Sequence, residues 1–346
     1  MSEDAEVLFE QRGFVGLITL NRPKALNALT HGMALAMTAQ LKAWRDDDSM
    51  GCVVVRGAGE KAFCAGGDIR ALYESGKAGT SYALDFYRDE YILNALIKHY
   101  PKPYIALING VVMGGGVGVS VHGSHRIASE IITFAMPETG IGLFPDVGGT
   151  YFLPRMKGEI GMYLALTGAR LKTADAIYAG FATDCVPMAR WDDLIARLSK
   201  SPDPQLVLAG LAEPAPAPPL AAIADTVQRL FSGNSIDAIL AALDADASPF
   251  ARDALAVIAT KSPTSLKVAY RQLREGAKMG FDDCMKLEYR LVHRVVAGHD
   301  FYEGVRATII DKDGAPKWKP ASLADVSDAD IDDYFAPLEN EFELSK

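Results

Sequence analysis

Cysteine is scarce in this sequence, with four (Cys52, Cys64, Cys185, Cys284) among 346 residues. Four isolated cysteines cannot staple a chain of this length. A disulfide-built scaffold is excluded, and reduced thiols in the cytosol are the default. Long apolar runs are missing too. No stretch of about eighteen apolar residues occurs, so no membrane-spanning helix is expected. Excess positive charge is absent: 35 Lys and Arg face 44 Asp and Glu, a net charge of −9. That balance argues against nucleic acid as a partner, while a local basic cluster could still meet a small polyanion. Residues 1–10 carry four acidic side chains and no apolar core. They resemble neither a secretory signal nor an Arg-rich transit peptide, and the chain is read as cytoplasmic. His122 and His125 lack carboxylates at metal-ligand spacing, so no metal is expected.

What is present is ordinary globular composition, 49% hydrophobic and 23% charged, enough for one large domain or two smaller ones. The first half alternates strands with helices. Val7–Gln11 and Val15–Leu20 flank Arg12-Gly13 and read as a hairpin. Thr30 caps a helix whose Met33, Met37, Leu41 and Trp44 share one face. Cys52–Arg56 reads as a buried strand, Lys61–Asp68 as a loop and Ile69–Tyr73 as the start of a helix. Tyr82–Lys98 reads as a helix stopped by Pro101 and Pro103. A strand follows at Tyr104–Asn109, a small-residue helix at Gly114–His122 and a strand at Ile131–Met136. From Gly158 onward helical patterning dominates, interrupted by a stiff connector at 213–219. Helices are expected at 222–231, 236–243, 249–259, 264–278 and 284–297. The acidic stretch 325–333 reads as solvated. The expected organisation is a core over residues 1–212, a helical region over 213–320 and an acidic tail over 321–346.

Residues 113–149 carry the chemistry. Met113-Gly114-Gly115-Gly116-Val117-Gly118 opens an apolar helix. It lacks the last glycine of a dinucleotide fingerprint and the Gly-Lys-Ser/Thr of a phosphate loop. Lys61-Ala62-Phe63-Cys64-Ala65-Gly66-Gly67-Asp68-Ile69 places Gly66 and Gly67 after a strand and before a helix. Glycine lets backbone approach a ligand, and a helix start leaves N–H groups unpaired. Two such segments could supply the converging donors that an oxyanion hole needs. The simpler alternatives are tight helix packing at 114–116 and a plain turn at 66–67, with Asp68 as a cap. Glu138 follows Pro137, and Asp146 follows Pro145, in a stretch that is otherwise apolar. Buried carboxylates are costly unless paired or used in chemistry. A solvent-facing strand end and a turn aspartate are the plainer readings. Together the four features suggest a site that polarises a carbonyl oxygen and attacks its carbon with a carboxylate. Cys64 has no adjacent basic partner and Ser120 sits in no nucleophile elbow, so neither reads as a nucleophile.

Several of these strings look familiar. Asn21-Arg22-Pro23-Lys24-Ala25-Leu26-Asn27-Ala28-Leu29, Lys61–Ile69, the run from Asn109 to Gly118, and Met136-Pro137-Glu138 resemble the enoyl-CoA hydratase/isomerase (crotonase) superfamily. Glu138-Thr139-Gly140-Ile141-Gly142-Leu143-Phe144-Pro145-Asp146-Val147-Gly148-Gly149 is similar to its thioester-hydrolase branch. So are Tyr151–Arg155, Glu303–Ala307, Asp311–Asp313 and Pro316–Trp318. The match spans roughly residues 6–320 and is thinnest around 190–250.

The resemblance implies an α/β fold, a crotonase-type spiral of repeated strand–strand–helix units, with a helical C-terminal region completing an acyl-CoA site. It implies an acyl-CoA substrate, no cofactor beyond the CoA that the substrate carries, and it leaves a homo-oligomer open. It implies an oxyanion hole from the N–H groups of Gly67 and Gly115, with Glu138 as nucleophile or general base. Asp146 would orient the substrate's 3-hydroxyl or the attacking water, and Glu90 would help to bind that hydroxyl. Gly66, Asp68, Lys24, Ala25 and Leu26 would contact substrate. Lys24, Arg22, Lys61 and Arg70, and later Lys312, Lys317 and Lys319, are candidates for the CoA phosphates, with solvated surface charge the plainer reading of any one of them. The superfamily's hydratases carry a second catalytic glutamate two residues after the third glycine. Here that position is Gly118. Adding water across a double bond needs an acid and a base at the same two carbons. Gly118 therefore speaks against hydration, and the resemblance to the hydrolase branch implies hydrolysis of a short-chain 3-hydroxyacyl-CoA, foremost the 3-hydroxyisobutyryl thioester of valine breakdown. An enoyl-CoA hydratase/isomerase is the near rival. A noncatalytic acyl-CoA-binding subunit, which would need neither Glu138 nor Asp146, is the distant one.

Overall fold

The computed structural model describes residues 5–201 and 203–344. Residues 1–4 of the acidic N-terminal stretch and 345–346 of the tail lie outside them. The chain divides into two compact units. One comprises Met1–Asp68, Ile92–Phe134 and Arg170–Ala221; the other comprises Ile69–Tyr91, Ala135–Ala169 and Ala222–Lys346.

The first unit carries the sheet. Its strands, among the described residues, are β1 (Val7–Arg12), β2 (Val15–Leu20), β3 (Cys52–Gly57), β4 (Ala62–Cys64), β5 (Tyr104–Met113), β6 (His125–Ala135) and β7 (Asp184–Cys185). Their order is β1-β2-β3-β5-β6-β7, with β4 pairing β5. The expected hairpin is present: β1 and β2 are antiparallel, with Val7 opposite Leu20 and Arg12 opposite Val15. β2, β3 and β5 then run parallel. Parallel strands need cover on both faces, which is why these read as continuous apolar runs. On one face Leu17, Val54 and Leu107 pack against Trp191, Leu194 and Leu198 of the helix Trp191–Leu198. On the other lies the helix His31–Arg45, whose Met33, Met37, Leu41 and Trp44 are buried as their spacing predicts. Thr30 caps it, accepting a bond from the Met33 N–H.

Four elements of this unit differ from expectation. The loop expected over 61–68 contains β4, because Ala62, Phe63 and Cys64 are all buried and pair alongside β5. The two long strands β5 and β6 each extend past the expected ends, to Met113 and from His125. The helix expected over 114–122 is one turn, Gly115–Gly118. Glycine is a poor helix former, and Ser120 Oγ turns back to bond the carbonyls of Gly116 and Val117.

The second unit is helical. Ile236–Ala245, Pro249–Ile258, Pro263–Gly276 and Phe281–Val295 lie close to the expected spans. Ser235, Ser248 and Ser262 cap the first three. The acidic stretch 325–333, expected to be solvated, instead supplies most of a helix, Asp328–Phe335. Ser327 and Asp330 form a capping box, and Ile331 and Phe335, one turn apart, are buried beneath the acidic face.

Candidate active site

In the first unit the two glycine segments meet. The stretch after β4 zips onto the stretch before the helix His31–Arg45: Ala65 N–H donates to Leu26 O, Leu29 N–H to Gly66 O, and Asp68 N–H to Leu29 O. This short parallel bridge pairs Leu29 with Gly67 and leaves the N–H of Gly67 itself outside the ladder. Gly115 begins the one-turn helix, so its N–H has no intrahelical acceptor. A Cβ on Gly116 would stand 2.2 Å from Cys64 O, closer than any real contact. The glycine run is therefore what lets the helix start press against β4. Cys64 and Ser120 are buried, and no disulfide forms among the described residues.

The remaining first-unit candidates sit on the adjoining loop. Lys24 and Ala25 lie in a turn of 3-10 helix, Pro23–Ala25, and are exposed. Leu26 and Asn27 both adopt left-handed backbone, φ 51° and 55°, at a cost of about 1–2 kcal/mol for a residue such as leucine. Asn27, which the sequence reading passed over, anchors this strained pair. Its Nδ2 donates to Ala58 O and Ala62 O at 3.0 and 2.9 Å, and its Oδ1 accepts from Arg22 N–H. Arg22 pairs with Glu6 and Asp68, at 3.0 and 3.1 Å. Its charge is thus spent inside the protein. Lys24 and Lys61 are exposed and make no ion pair among the described residues. Gly118 is buried in the one-turn helix.

The second unit gathers the acids. Glu90 lies on the inner face of the helix Tyr82–Lys98 beside Phe86, Tyr87 and Tyr91. Glu138 opens a turn of 3-10 helix, Glu138–Ile141, held from outside by Ser262, whose N–H donates to Thr139 O. Asp146 precedes a strained turn in which Val147 has φ 49° and Gly148 φ 87°. Tyr91 donates its hydroxyl to Asp146 Oδ2 at 3.0 Å. A fourth acid joins them. Glu288, on Phe281–Val295, accepts from the N–H groups of Gly148 and Thr150 at 2.8 and 2.9 Å. It clamps the turn that carries Asp146. The four are 2% (Glu90), 5% (Glu138), 3% (Asp146) and 0% (Glu288) exposed. Glu138 Oε2, Glu90 Oε1 and the Tyr87 hydroxyl find no hydrogen-bond partner among the described residues. These atoms are free to meet a ligand or water.

Acids this deeply buried and this close cannot all be ionised. Burial raises the Glu138 carboxyl well above the ordinary range, and the neighbouring Asp146 raises it further. Burial pushes Asp146 up to about 7, against the pull of the Tyr91 hydroxyl. Glu90 is raised by burial and by Asp146 and Glu288. Glu288 is pushed up to about 8 by burial and Asp146, in spite of its two backbone donors. The cluster therefore titrates as a set near and above neutrality. Such tuning is typical of acids that move protons or attack carbon.

Of the residues singled out from sequence, the first unit brings together Gly66, Gly67, Asp68, Gly115, Lys24, Ala25 and Leu26. The second brings together Glu90, Glu138 and Asp146. Arg70 is exposed and bonds to Ile309 O. Lys312, Lys317 and Lys319 are exposed on the stretch after the helix Asp300–Val305. Glu288 and Tyr91 were missed. Glu288 was legible as the one acid on an apolar stripe of Phe281, Cys284, Met285, Leu291, Val292 and Val295. No cluster of three or more candidate metal ligands occurs among the described residues. No helix there is long and apolar enough to cross a membrane.

A sequence profile described as enoyl-CoA hydratase/isomerase matches residues 15–335. Among similar curated proteins, "3-hydroxyisobutyryl-CoA hydrolase, mitochondrial" of Danio rerio is 51% identical over 97% of this chain and 90% of its own length. The Homo sapiens protein of the same name is 47% identical over 96% and 89%. Among solved structures, a carnitinyl-CoA dehydratase from Mycobacterium thermoresistibile is 44% identical, with a TM-score of 0.94 over 99% of both chains. An enoyl-CoA hydratase from Rhodobacter sphaeroides 2.4.1 is 42% identical, with a TM-score of 0.91 over 96% of this chain and 98% of that one.

Proposed function

The chain belongs to the enoyl-CoA hydratase/isomerase family, with its crotonase-type α/β fold, and within it we propose hydrolysis of 3-hydroxyisobutyryl-CoA to 3-hydroxyisobutyrate and CoA. Relatives of about half identity that carry this activity in their names match nearly the whole chain. The observation that carries the choice of reaction is Gly118. Hydration needs a second carboxylate at that position, and a buried glycine supplies no acid or base. Hydration is the second reading because two similar solved structures are titled as a dehydratase and a hydratase.

The roles we assign follow from what thioester hydrolysis requires. The N–H groups of Gly67 and Gly115 receive the thioester oxygen and the oxyanion that forms from it. Losing one such donor costs about 2.7–4 kcal/mol of transition-state stabilisation. Glu138 brings about attack at the carbonyl carbon by one of two routes. As nucleophile it forms a mixed anhydride while CoA leaves as thiolate, and water then cleaves the anhydride. As general base it takes a proton from a water that attacks directly. Hydroxylamine added during turnover marks Glu138 on the first route only. Asp146, held by Tyr91, orients the 3-hydroxyl or the water, and the unpartnered Glu90 Oε1 helps to bind that hydroxyl. Lys24, Ala25, Leu26, Gly66 and Asp68 contact the CoA side of the substrate, with Lys24 and Lys61 as the open cations. The reaction so written needs no cofactor, and valine breakdown is the proposed source of its substrate. We place the chain in the cytoplasm on its reduced thiols; the relatives' names say mitochondrial, and fractionation of the source cells decides.

Glu138→Gln tests the assignment. CoA release should fall by about 10²–10⁴, the usual worth of a proton-transferring group, while free CoA binds as before. Near-normal turnover removes Glu138 from the mechanism.

A further inference from the structure

The second unit contains a cavity of about 480 Å³ that none of Glu90, Glu138, Asp146 and Glu288 lines. It lies among the helices Ile236–Ala245, Pro249–Ile258 and Pro263–Gly276 and the segment around Trp318–Leu323. Leu240, Leu255, Ile258, Leu266 and Leu323 supply apolar wall. The Trp318 indole completes it, fixed by donation from Nε1 to Thr260 O at 3.1 Å. One cation faces this space, Lys261. Its ammonium makes no ion pair and donates no hydrogen bond among the described residues, and it is partly buried. A Cβ on Gly140 would lie 3.4 Å from its Nζ, so the amine is backed against the turn Glu138–Ile141. Burial lowers the amine's hold on its proton, with no opposing help from a nearby acid. Asp244 also lines the cavity, but it is exposed and makes no ion pair with Lys261.

A ligand pocket is commonly an apolar cavity of roughly 300–1,000 Å³ with a few polar groups that set orientation. An unpaired cation in such a place is a standing cost that an anion would relieve. Lys261 is the one cation in a largely apolar lining, so the second charge of a phosphate monoester would be left uncompensated there, which favours a monocarboxylate. The geometry points to a second binding site for a medium-chain aliphatic carboxylate, with its chain along the leucines and Trp318 and its carboxylate on Lys261 Nζ. This inference does not depend on the reaction assigned to Glu138.

Calorimetry on the full chain tests it with octanoate, octanol and octylamine. Octanoate should bind at least about tenfold more tightly than octanol, the low end for a charge-assisted contact. Octylamine should bind more weakly than octanol. Affinity should rise from butanoate to octanoate, by up to about fourfold per methylene. Lys261→Met should erase the preference for octanoate, and Lys261→Arg should keep it. Leu240→Glu, which places an anion in the wall, is independent of the lysine and should lose octanoate. Glu138→Gln should bind octanoate like the parent, and saturating CoA should not displace it. Equal binding of octanoate and octanol overturns the site. So does an undiminished preference in a folded Lys261→Met, undiminished octanoate binding in Leu240→Glu, or displacement of octanoate by CoA.

Discussion

Replacing Glu288 with glutamine should flatten the pH dependence of stability. In the unfolded chain this carboxyl titrates near 4.5; in the folded protein burial and Asp146 push it up to about 8. The folded state therefore holds the proton more tightly than the unfolded state does. Below pH 4.5 both states are protonated and the group imposes no penalty. As pH rises from 4.5 through 8 the unfolded chain gains by ionising while the folded state resists, so stability falls. The gap corresponds to on the order of 5 kcal/mol, fully lost above pH 8. Asp146, pushed up to about 7, acts in the same direction over its own range. Glutamine cannot ionise. It also cannot accept from both Gly148 and Thr150 as the two carboxyl oxygens do, and a buried donor left without a partner costs about 1–3 kcal/mol at any pH. The variant should thus be the less stable protein at pH 5 and the equal or better one at pH 9. Urea unfolding midpoints across that range give the answer. Parallel curves for the two proteins would refute the reading of Glu288 as an acid forced to stay protonated.

Asp146→Asn should impair hydrolysis of 3-hydroxyacyl-CoA more than that of the unsubstituted acyl-CoA, because a buried acceptor matched to a hydroxyl discriminates strongly against analogues lacking it. Equal losses in kcat/KM on both substrates would assign Asp146 to the water or to the fold. Gly116→Ala forces Cys64 O and the added methyl apart by more than an ångström from 2.2 Å. A misplacement of that size typically costs about 10² in rate, so kcat should drop far more than CoA affinity; a folded variant with normal kcat contradicts the role given to the glycine pair. Gly118→Glu should not produce an efficient hydratase of crotonyl-CoA, since a new carboxylate in a buried turn lacks the support that holds catalytic groups in place. Rates like those of a dedicated hydratase would show that one side chain separates the two chemistries.

Local rules made much of the framework legible. The hairpin at β1–β2, the Thr30-capped helix and the helices after residue 235 follow from alternation, stripes and serine caps that agree with their tertiary setting. The failures come where distant partners decide. Ala62–Cys64 is too short to announce itself and becomes a strand only because β5 lies beside it. The helix Asp328–Phe335 hides two buried side chains among acids, so charge outweighed periodicity in the reading. At the site, Glu138 and Asp146 stood out as acids in apolar surroundings. Glu288 lies on the apolar stripe of Phe281–Val295, a signal of burial, but what it holds shows only once its bonds to Gly148 and Thr150 are known. Asn27 likewise means little in a loop until its three backbone partners are counted.

The most direct test follows one purified sample with two readouts. Free thiol release is measured on 3-hydroxyisobutyryl-CoA, 3-hydroxypropionyl-CoA, isobutyryl-CoA and crotonyl-CoA, and hydration of the double bond is followed in parallel on crotonyl-CoA, the enoyl thioester among them. Thioester hydrolysis requires repeated turnover with stoichiometric CoA release, fastest on the 3-hydroxyacyl substrates, and negligible hydration of crotonyl-CoA. Hydration outpacing thiol release would make the chain a hydratase in spite of Gly118, and CoA binding without either reaction would make it a noncatalytic acyl-CoA binder.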